Sequence, residues 1–270
     1  MNGLFESKDF SISYNIYGEG MPVVLLHGFG EDASIFKLQV DALKTSCKLI
    51  IPNITGTGNS ALLFNQVDPS MELLANYFKE FIDRLQIDKF VLLGHSMGGY
   101  ITLAFAEKYP DNLLAFGLIH STAFADNDDK KANRWRGIEL MSKYGADAFL
   151  RTTFPNLFSN DFKATNQDEL QSLIQQFSYI TTNACVFYYK AMIARTDKTD
   201  LLKHTNLPVL FVIGEEDIAA PMSDVLQQVP LPALSSVHIL NNVGHMSMIE
   251  APEKLNEILK AFFKVVAENK

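Results

Sequence analysis

The residues FSISYNIYG at 10–18 alternate apolar and polar side chains, as a half-buried strand does, and Gly18 and Gly20 close the run. Six further runs are short, rich in β-branched residues and mostly apolar throughout: VVLLHG (23–28), CKLIIPN (47–53), KFVLLG (89–94), LLAFGLIH (113–120), LPVLFVIG (207–214) and SSVHIL (235–240). Unbroken apolarity over such a run is the pattern of a strand covered on both faces. Between them the spacing predicts helices over 33–44, 70–86, 98–109, 222–229 and 252–267. In the last of these, Leu255, Ile258, Leu259, Phe262 and Phe263 fall on one stripe. Strand alternating with helix predicts an α/β domain on a mainly parallel sheet with helices on both faces, opened by an antiparallel strand.

One interval breaks the rhythm. Between His120 and Leu207 there is no strand-like run, but ELMSKYGADAFL and ELQSLIQQFSYITTNACVFYYKAMIA carry helical spacing. The interval is too long for an ordinary connection and reads as an inserted helical subdomain. Neither an internal repeat nor a low-complexity linker divides the rest.

Charge narrows the partners. The chain carries 23 basic and 31 acidic side chains, a formal net charge of −8, and has no run of Lys or Arg long enough to build a basic groove against that field. No nucleic acid is therefore expected as a partner. The longest apolar stretches fall far short of the ~20 residues that span a bilayer, and the opening MNGLFESKDF lacks the ~7–15-residue apolar core of a signal peptide. A cytoplasmic protein without membrane insertion is the expectation. Only Cys47 and Cys185 are present, neither in a CxxC pair nor beside a His or carboxylate cluster, so no disulfide framework and no metal are expected.

The strongest chemical signal is GHSMGG at 94–99, set between the buried run KFVLLG and the helix that starts near Tyr100. A sharp strand-to-helix turn crowds its flanking backbone, which calls for Gly94 and Gly98 and holds Ser96 forward as a nucleophile. The helix behind it points its amino end at the same spot, so the amide of Met97 is a natural oxyanion donor. A serine hydroxyl needs a base. Of the six histidines, His245 alone lies in a glycine-containing loop after a strand, with Pro252 free to open a helix beyond it. His27, His120 and His238 read as hydrogen-bonded structural residues. An orienting carboxylate is offered by GEEDIAAP at 214–221, where Glu215, Glu216 and Asp217 compete.

Together these motifs make the chain resemble the α/β-hydrolase fold family, its cap-bearing serine esterase group, over essentially its whole length. The resemblance implies an eight-stranded, mostly parallel sheet and a core of residues 1–122 and 204–270. It also implies that residues 123–203 form a helical cap, or lid, over the serine. In the family the acid takes the fourth place of a GxxDxxxP segment; Gly214, Asp217 and Pro221 match it, which selects Asp217. Ser96, Asp217, His245 is the family's chain order of nucleophile, acid and base. HGFG at 27–30 matches the segment whose residue after the glycine, here Phe29, supplies the second oxyanion amide. One departure is NITGTGNS at 53–60, where Asn53 and Thr55 stand in place of the usual Asp and Pro of a loop segment that does no chemistry. A serine nucleophile separates the chain from the epoxide hydrolases and haloalkane dehalogenases of the same fold.

The resemblance implies hydrolysis of a small-molecule carboxylic ester through an acyl-enzyme, with no cofactor. The same triad also serves thioesterases, amidases and peptidases, perhydrolases and carbon–carbon bond hydrolases, and some relatives use the pocket as a ligand receptor. Within 123–203 there are eleven basic and ten acidic side chains, a net of +1, so the rest of the chain carries −9. Four of the five arginines, Arg134, Arg136, Arg151 and Arg195, lie in this segment with Trp135 and other aromatics. They are candidates for binding the substrate, in particular an anionic group on it, since guanidinium is suited to bidentate recognition of carboxylate.

Overall fold

The apolar runs become the strands of one sheet in the computed structural model, which describes residues 1–62 and 67–268. The eight strands are β1 Asn2–Glu6, β2 Ser11–Tyr17, β3 Pro22–Leu26, β4 Lys48–Pro52, β5 Phe90–His95, β6 Leu113–Ile119, β7 Val209–Gly214 and β8 Ser235–Leu240. They lie in the order β1-β2-β4-β3-β5-β6-β7-β8. β1 runs antiparallel to β2 and β2 antiparallel to β4, and all other pairs are parallel. β5 and β7 are buried along their whole length, as their unbroken apolarity predicts. β8 is different. It is an edge of the sheet, and Val237 and Ile239, two residues apart and so on one face, are exposed there.

Among the described residues, twelve α-helices accompany the sheet: α1 Lys37–Leu43, α2 Met71–Arg84, α3 Met97–Lys108, α4 Asp128–Tyr144, α5 Ala146–Thr153, α6 Asn160–Thr165, α7 Gln167–Gln176, α8 Thr182–Ala194, α9 Thr199–His204, α10 Met222–Val225, α11 Ser247–Glu250 and α12 Pro252–Glu268. The start of α2 shows the local logic: the Ser70 hydroxyl accepts from the Leu73 amide at 3.1 Å, satisfying an end donor. Leu74, Phe78, Phe81 and Ile82 then turn one face inward. Residues 33–44, expected as one helix, divide into a 3₁₀ turn over Ala33–Phe36 and α1. The expected helix over 222–229 shortens to α10.

The six helices α4–α9 all lie between β6 and β7. They are bonded to the body through the segment that departs from the family pattern. The Tyr188 hydroxyl donates to the Thr55 carbonyl. The Tyr179 hydroxyl accepts from the Gly58 amide at 2.8 Å and donates to Asp32 at 2.7 Å. Asn53 in turn accepts from the Ala33 amide and donates to the Ser13 hydroxyl, each at 2.8 Å. Among the described residues, no helix is long and apolar enough to cross a membrane.

Candidate active site

The parallel strands deliver their chemistry at one edge, since successive carboxyl ends point the same way. Ser96 follows β5 directly and caps α3 at φ 50° and ψ −117°. A non-glycine residue there is strained, a state that persists only when its surroundings fix it. The fixing bonds are backbone ones: Ser96 N donates to Ile119 O at 3.0 Å, and Ser96 O accepts from the Gly99 amide and the Ser121 hydroxyl at 2.9 and 2.8 Å. The motif glycines are required by contact. A Cβ on Gly98 would lie 2.5 Å from the Leu26 carbonyl oxygen, and one on Gly94 would collide with the Gly98 backbone. Met97 opens α3, so helix geometry leaves its amide without an intrahelical acceptor.

Asp217 stands three residues beyond β7 and His245 five beyond β8, and the adjacency of those strands brings them together. His245 Nδ1 lies 2.7 Å from Asp217 Oδ2. Asp217 Oδ1 accepts from the amides of Ala219 and Ala220 at 2.8 and 2.9 Å. Both residues are buried, at 5% and 2% exposure. The two competing acids are occupied elsewhere. Glu215 accepts from the Asn242 amide at 3.0 Å and Glu216 from the Asn160 amide at 2.9 Å.

Burial alone would raise the Asp217 carboxyl, but the facing His245 charge and hydrogen bonds from His120 and His245 hold it well below the usual carboxylate range. Burial likewise lowers the His245 imidazole. The Asp217 charge and hydrogen bond, with Glu31 and Glu250 farther off, outweigh that and raise it above its ordinary 6.5.

His120, expected as a hydrogen-bonded structural residue, makes its hydrogen bond within this cluster. It follows β6 at a left-handed φ of 51°, and its Nδ1 lies 3.2 Å from the same Asp217 oxygen that holds His245. Burial drives its pKa down to about 4, against the pull of Asp217. Neutral His120 therefore donates through Nδ1–H. His120, Asp217 and His245 offer metal-ligand atoms within 4.8 Å of one another. Both Nδ1 atoms are committed to Asp217, however, and hydrogen bonding accounts for the arrangement.

The helical insertion reaches this loop directly. Leu157 O accepts from the His245 amide at 2.6 Å, and Glu250 collects the amides of Ser159, Gly244 and Met246 at 2.8 to 3.1 Å. On the opposite side Phe29 of the HGFG loop packs on Tyr189 with ring centres 4.5 Å apart, and Phe149 meets the same Tyr189 edge-on at 5.8 Å.

The arginines and Trp135 separate into different environments. Trp135 is 48% exposed. Arg136 is exposed and bonds to Asn133 of its own helix, and Arg151 is exposed and bonds to Asp147 one turn away. These three face solvent, so the structure does not support the substrate-binding role expected of them; each lies off the buried stripe of its helix. Arg195 is buried in a structural role, with its guanidinium bonded to Asp126 at 3.0 Å and to the Phe124 and Met192 carbonyls, and stacked 3.9 Å from the Tyr100 ring centre. Arg134 commits Nε to Asp126 at 2.5 Å and lies 5.2 Å from the Tyr189 ring centre. Two guanidiniums thus share the buried carboxylate of Asp126.

Comparison with known proteins adds four findings. A family model described as alpha/beta hydrolase fold matches residues 21–252. The chain is 26% identical over 262 residues to the pimeloyl-[acyl-carrier protein] methyl ester esterase of Aeromonas hydrophila, covering 93% of this chain and 99% of that one. It is 24% identical over 269 residues to 3-oxoadipate enol-lactonase 1 of Acinetobacter baylyi, covering 97% and 95%. Among solved structures it superposes on a thermophilic esterase from Thermogutta terrifontis with malate bound, at a TM-score of 0.90 and 26% identity, over 98% of this chain and 99% of the other.

Proposed function

Because the chain is an enzyme of the alpha/beta hydrolase fold family, we propose that it cleaves a small-molecule carboxylic ester through a covalent acyl-enzyme on Ser96. The observation that carries this reading is the 2.7 Å contact between His245 Nδ1 and Asp217 Oδ2. An ionised carboxylate only accepts, so Nδ1 carries the proton and Nε2 keeps its lone pair for the proton of Ser96. His245 takes that proton as Oγ attacks. The amides of Phe29 and Met97 hold the oxyanion of the tetrahedral intermediate, and His245 then protonates the leaving alcohol. A water activated by the same imidazole releases the acid. Residues 123–203 act as the cap, the remainder as the catalytic body, and the protein works in the cytoplasm. The relatives that act on a methyl ester and an enol-lactone support an ester as the bond broken.

The reading is tested by incubating the protein with a fluorophosphonate and mapping the adduct by mass spectrometry. A single adduct on Ser96, with turnover of one or more members of an ester and thioester panel, is expected; an unlabelled Ser96 and an inactive panel would sink it.

The rate must also follow His245. A general base works only when neutral, and this imidazole is raised above 6.5. The value of kcat/KM therefore rises with pH through an apparent pKa above 6.5 and is lost as pH falls through it. A pH–rate profile with an acid limb centred below 6 contradicts the assignment.

For the substrate, Arg134 is the arginine that fits recognition of an anionic group. Its Nε is committed to Asp126, and its guanidinium lies against and hydrogen-bonds Tyr189, which touches Phe29 of the oxyanion loop. Hydrogen bonds to a charged partner are worth about 1.5–3 kcal/mol. Arg134→Ala accordingly lowers kcat/KM roughly 10- to 100-fold for esters bearing a second carboxylate and leaves neutral esters within about 3-fold. Equal losses on both substrates would point to a packing role instead.

A further inference from the structure

Asp217 accepts one hydrogen bond that the mechanism above does not use. Its Oδ1 takes the Ala219 and Ala220 amides at 2.8 and 2.9 Å, and its Oδ2 takes His245 at 2.7 Å and His120 at 3.2 Å. The two imidazoles converge on one oxygen, with ring centres 5.7 Å apart. His120 arrives from the end of β6, where its amide donates to the Val212 carbonyl of β7 at 2.9 Å. The parallel pairing of β6 with β7 thus sets it beside the loop that carries Asp217.

Two features of His120 are unfavourable taken alone. Its backbone is left-handed at φ 51°, a strained state for a residue with a Cβ. Its Nε2 is buried without a hydrogen-bond partner among the described residues, which costs free energy that an apolar side chain filling the same space would not. What the ring supplies in return is one donor. An ionised carboxylate only accepts, so the hydrogen lies on Nδ1 and Nε2 keeps a bare lone pair. Burial holds the ring neutral, its pKa down to about 4.

The geometry points to His120 as a positioning residue that acts on the base through Asp217: its Nδ1–H holds Oδ2 in place and competes with His245 for the charge of that oxygen. With Oδ1 held by two amides and Oδ2 by a second imidazole, the carboxylate stays fixed while His245 exchanges its proton with Ser96. The positive end of the Nδ1–H dipole also lies beside the imidazolium that forms on His245. It opposes that charge, so His245 is less basic than Asp217 alone would make it. A general base serves best when its pKa stays near the working pH. The other titratable groups around the base are His95 of β5, with its ring centre 4.9 Å from that of His245 and 6.1 Å from that of His120, Glu31 after the oxyanion loop and Glu250 of α11. A substitution at position 120 leaves all three in the chain.

The role assigned to His120 rests on the serine-hydrolase reading for its effect on rate, but not for its effect on the titration of His245. In ¹⁵N-histidine NMR of the wild-type protein, His120 is expected to carry hydrogen on Nδ1 and none on Nε2 across about pH 6–9. His120→Leu fills the space and donates nothing, and is expected to raise the pKa at which His245 titrates by about 0.5 unit or more. A protonated imidazole is no base, so the acid limb of kcat/KM moves to higher pH with it. On that limb the variant is about 3-fold or more slower than wild type at equal pH. His120→Asn places an amide N–H near the position of Nδ1, and asparagine tolerates a left-handed φ. It is expected to keep the His245 pKa within about 0.2 unit of wild type. A smaller rise or a fall in folded His120→Leu overturns the proposal, as does a rise in His120→Asn as large as that in His120→Leu. A lower melting temperature with an unmoved titration marks a histidine that only supports the fold, and overturns it too. If His120→Leu does not fold, the wild-type tautomer decides, and a bare Nδ1 overturns it. If no ester is turned over by any form, the hydrolase reading fails while the titration of His245 still decides this one.

Discussion

Ser96→Ala is expected to reduce kcat on every substrate of the protein by on the order of 10⁵-fold or more, while the fold survives. The magnitude follows from removing the only atom that can form the acyl bond; what remains over water comes from oxyanion donors and binding alone. The survival follows from where the bonds of Ser96 go. Its hydrogen bonds to Ile119, Gly99 and Ser121 are made by its backbone N–H and C=O, so truncation at Cβ breaks none of them. Alanine at φ 50° bears the same conformational strain as serine. Thermal unfolding should shift by less than about 4 °C, equivalent to roughly 1 kcal/mol. Steady-state rates and a melting curve on one preparation check both halves. Activity above about 1% of wild type would remove Ser96 from the mechanism, and a collapse of the melt would make the lost rate uninformative.

How far the site could be read from sequence depends on whether its signal is local. GHSMGG is local: strand, turn and helix are consecutive, and the glycines are explained by contacts within the turn and with the neighbouring Leu26 strand end. β1 was not legible because Asn2–Glu6 is a short, half-exposed edge strand paired with β2, so little apolar surface marks it. The partner of His120 was not legible for a different reason. Its position beside Asp217 follows from β6 pairing with β7 across an insertion of some eighty residues, and no spacing along the chain expresses that. The three acids at 215–217 likewise became distinct only when their partners came from Asn242, Asn160 and His245.

The arginines show a signal that was present and unused. In α4 the buried residues include Ile138 and Met141, and Arg134 precedes them by four and seven positions, the spacing of one helix face. Trp135 and Arg136 fall off that stripe. Counting charges over the whole segment gave its net of +1 but could not choose among faces, whereas helical periodicity separates Arg134 from Arg136 without any structure.

Asp217→Asn is expected to cost about 10⁴-fold in kcat at neutral pH, more than loss of a single hydrogen bond would account for. The reason is tautomeric. Oδ1 accepts from the Ala219 and Ala220 amides, so the amide oxygen of an asparagine must take that place and its NH₂ must take the place of Oδ2. That NH₂ then faces the Nδ1 atoms of both His245 and His120, donor against donor. His245 can relieve the clash only by moving its proton to Nε2, and an Nε2–H imidazole cannot accept the proton of Ser96. The lost charge adds to this, because Asp217 is what raises the His245 pKa against the effect of burial. The apparent pKa of any residual activity should therefore fall relative to wild type. Glu215→Gln and Glu216→Gln are the matched controls: their carboxylates accept from backbone amides of Asn242 and Asn160, which a glutamine oxygen can also do. Both should keep kcat within about 3-fold. A loss below about 10-fold for Asp217→Asn, or a larger one for Glu216→Gln, would mean that the carboxylate orienting His245 in solution is not the one that lies 2.7 Å from it.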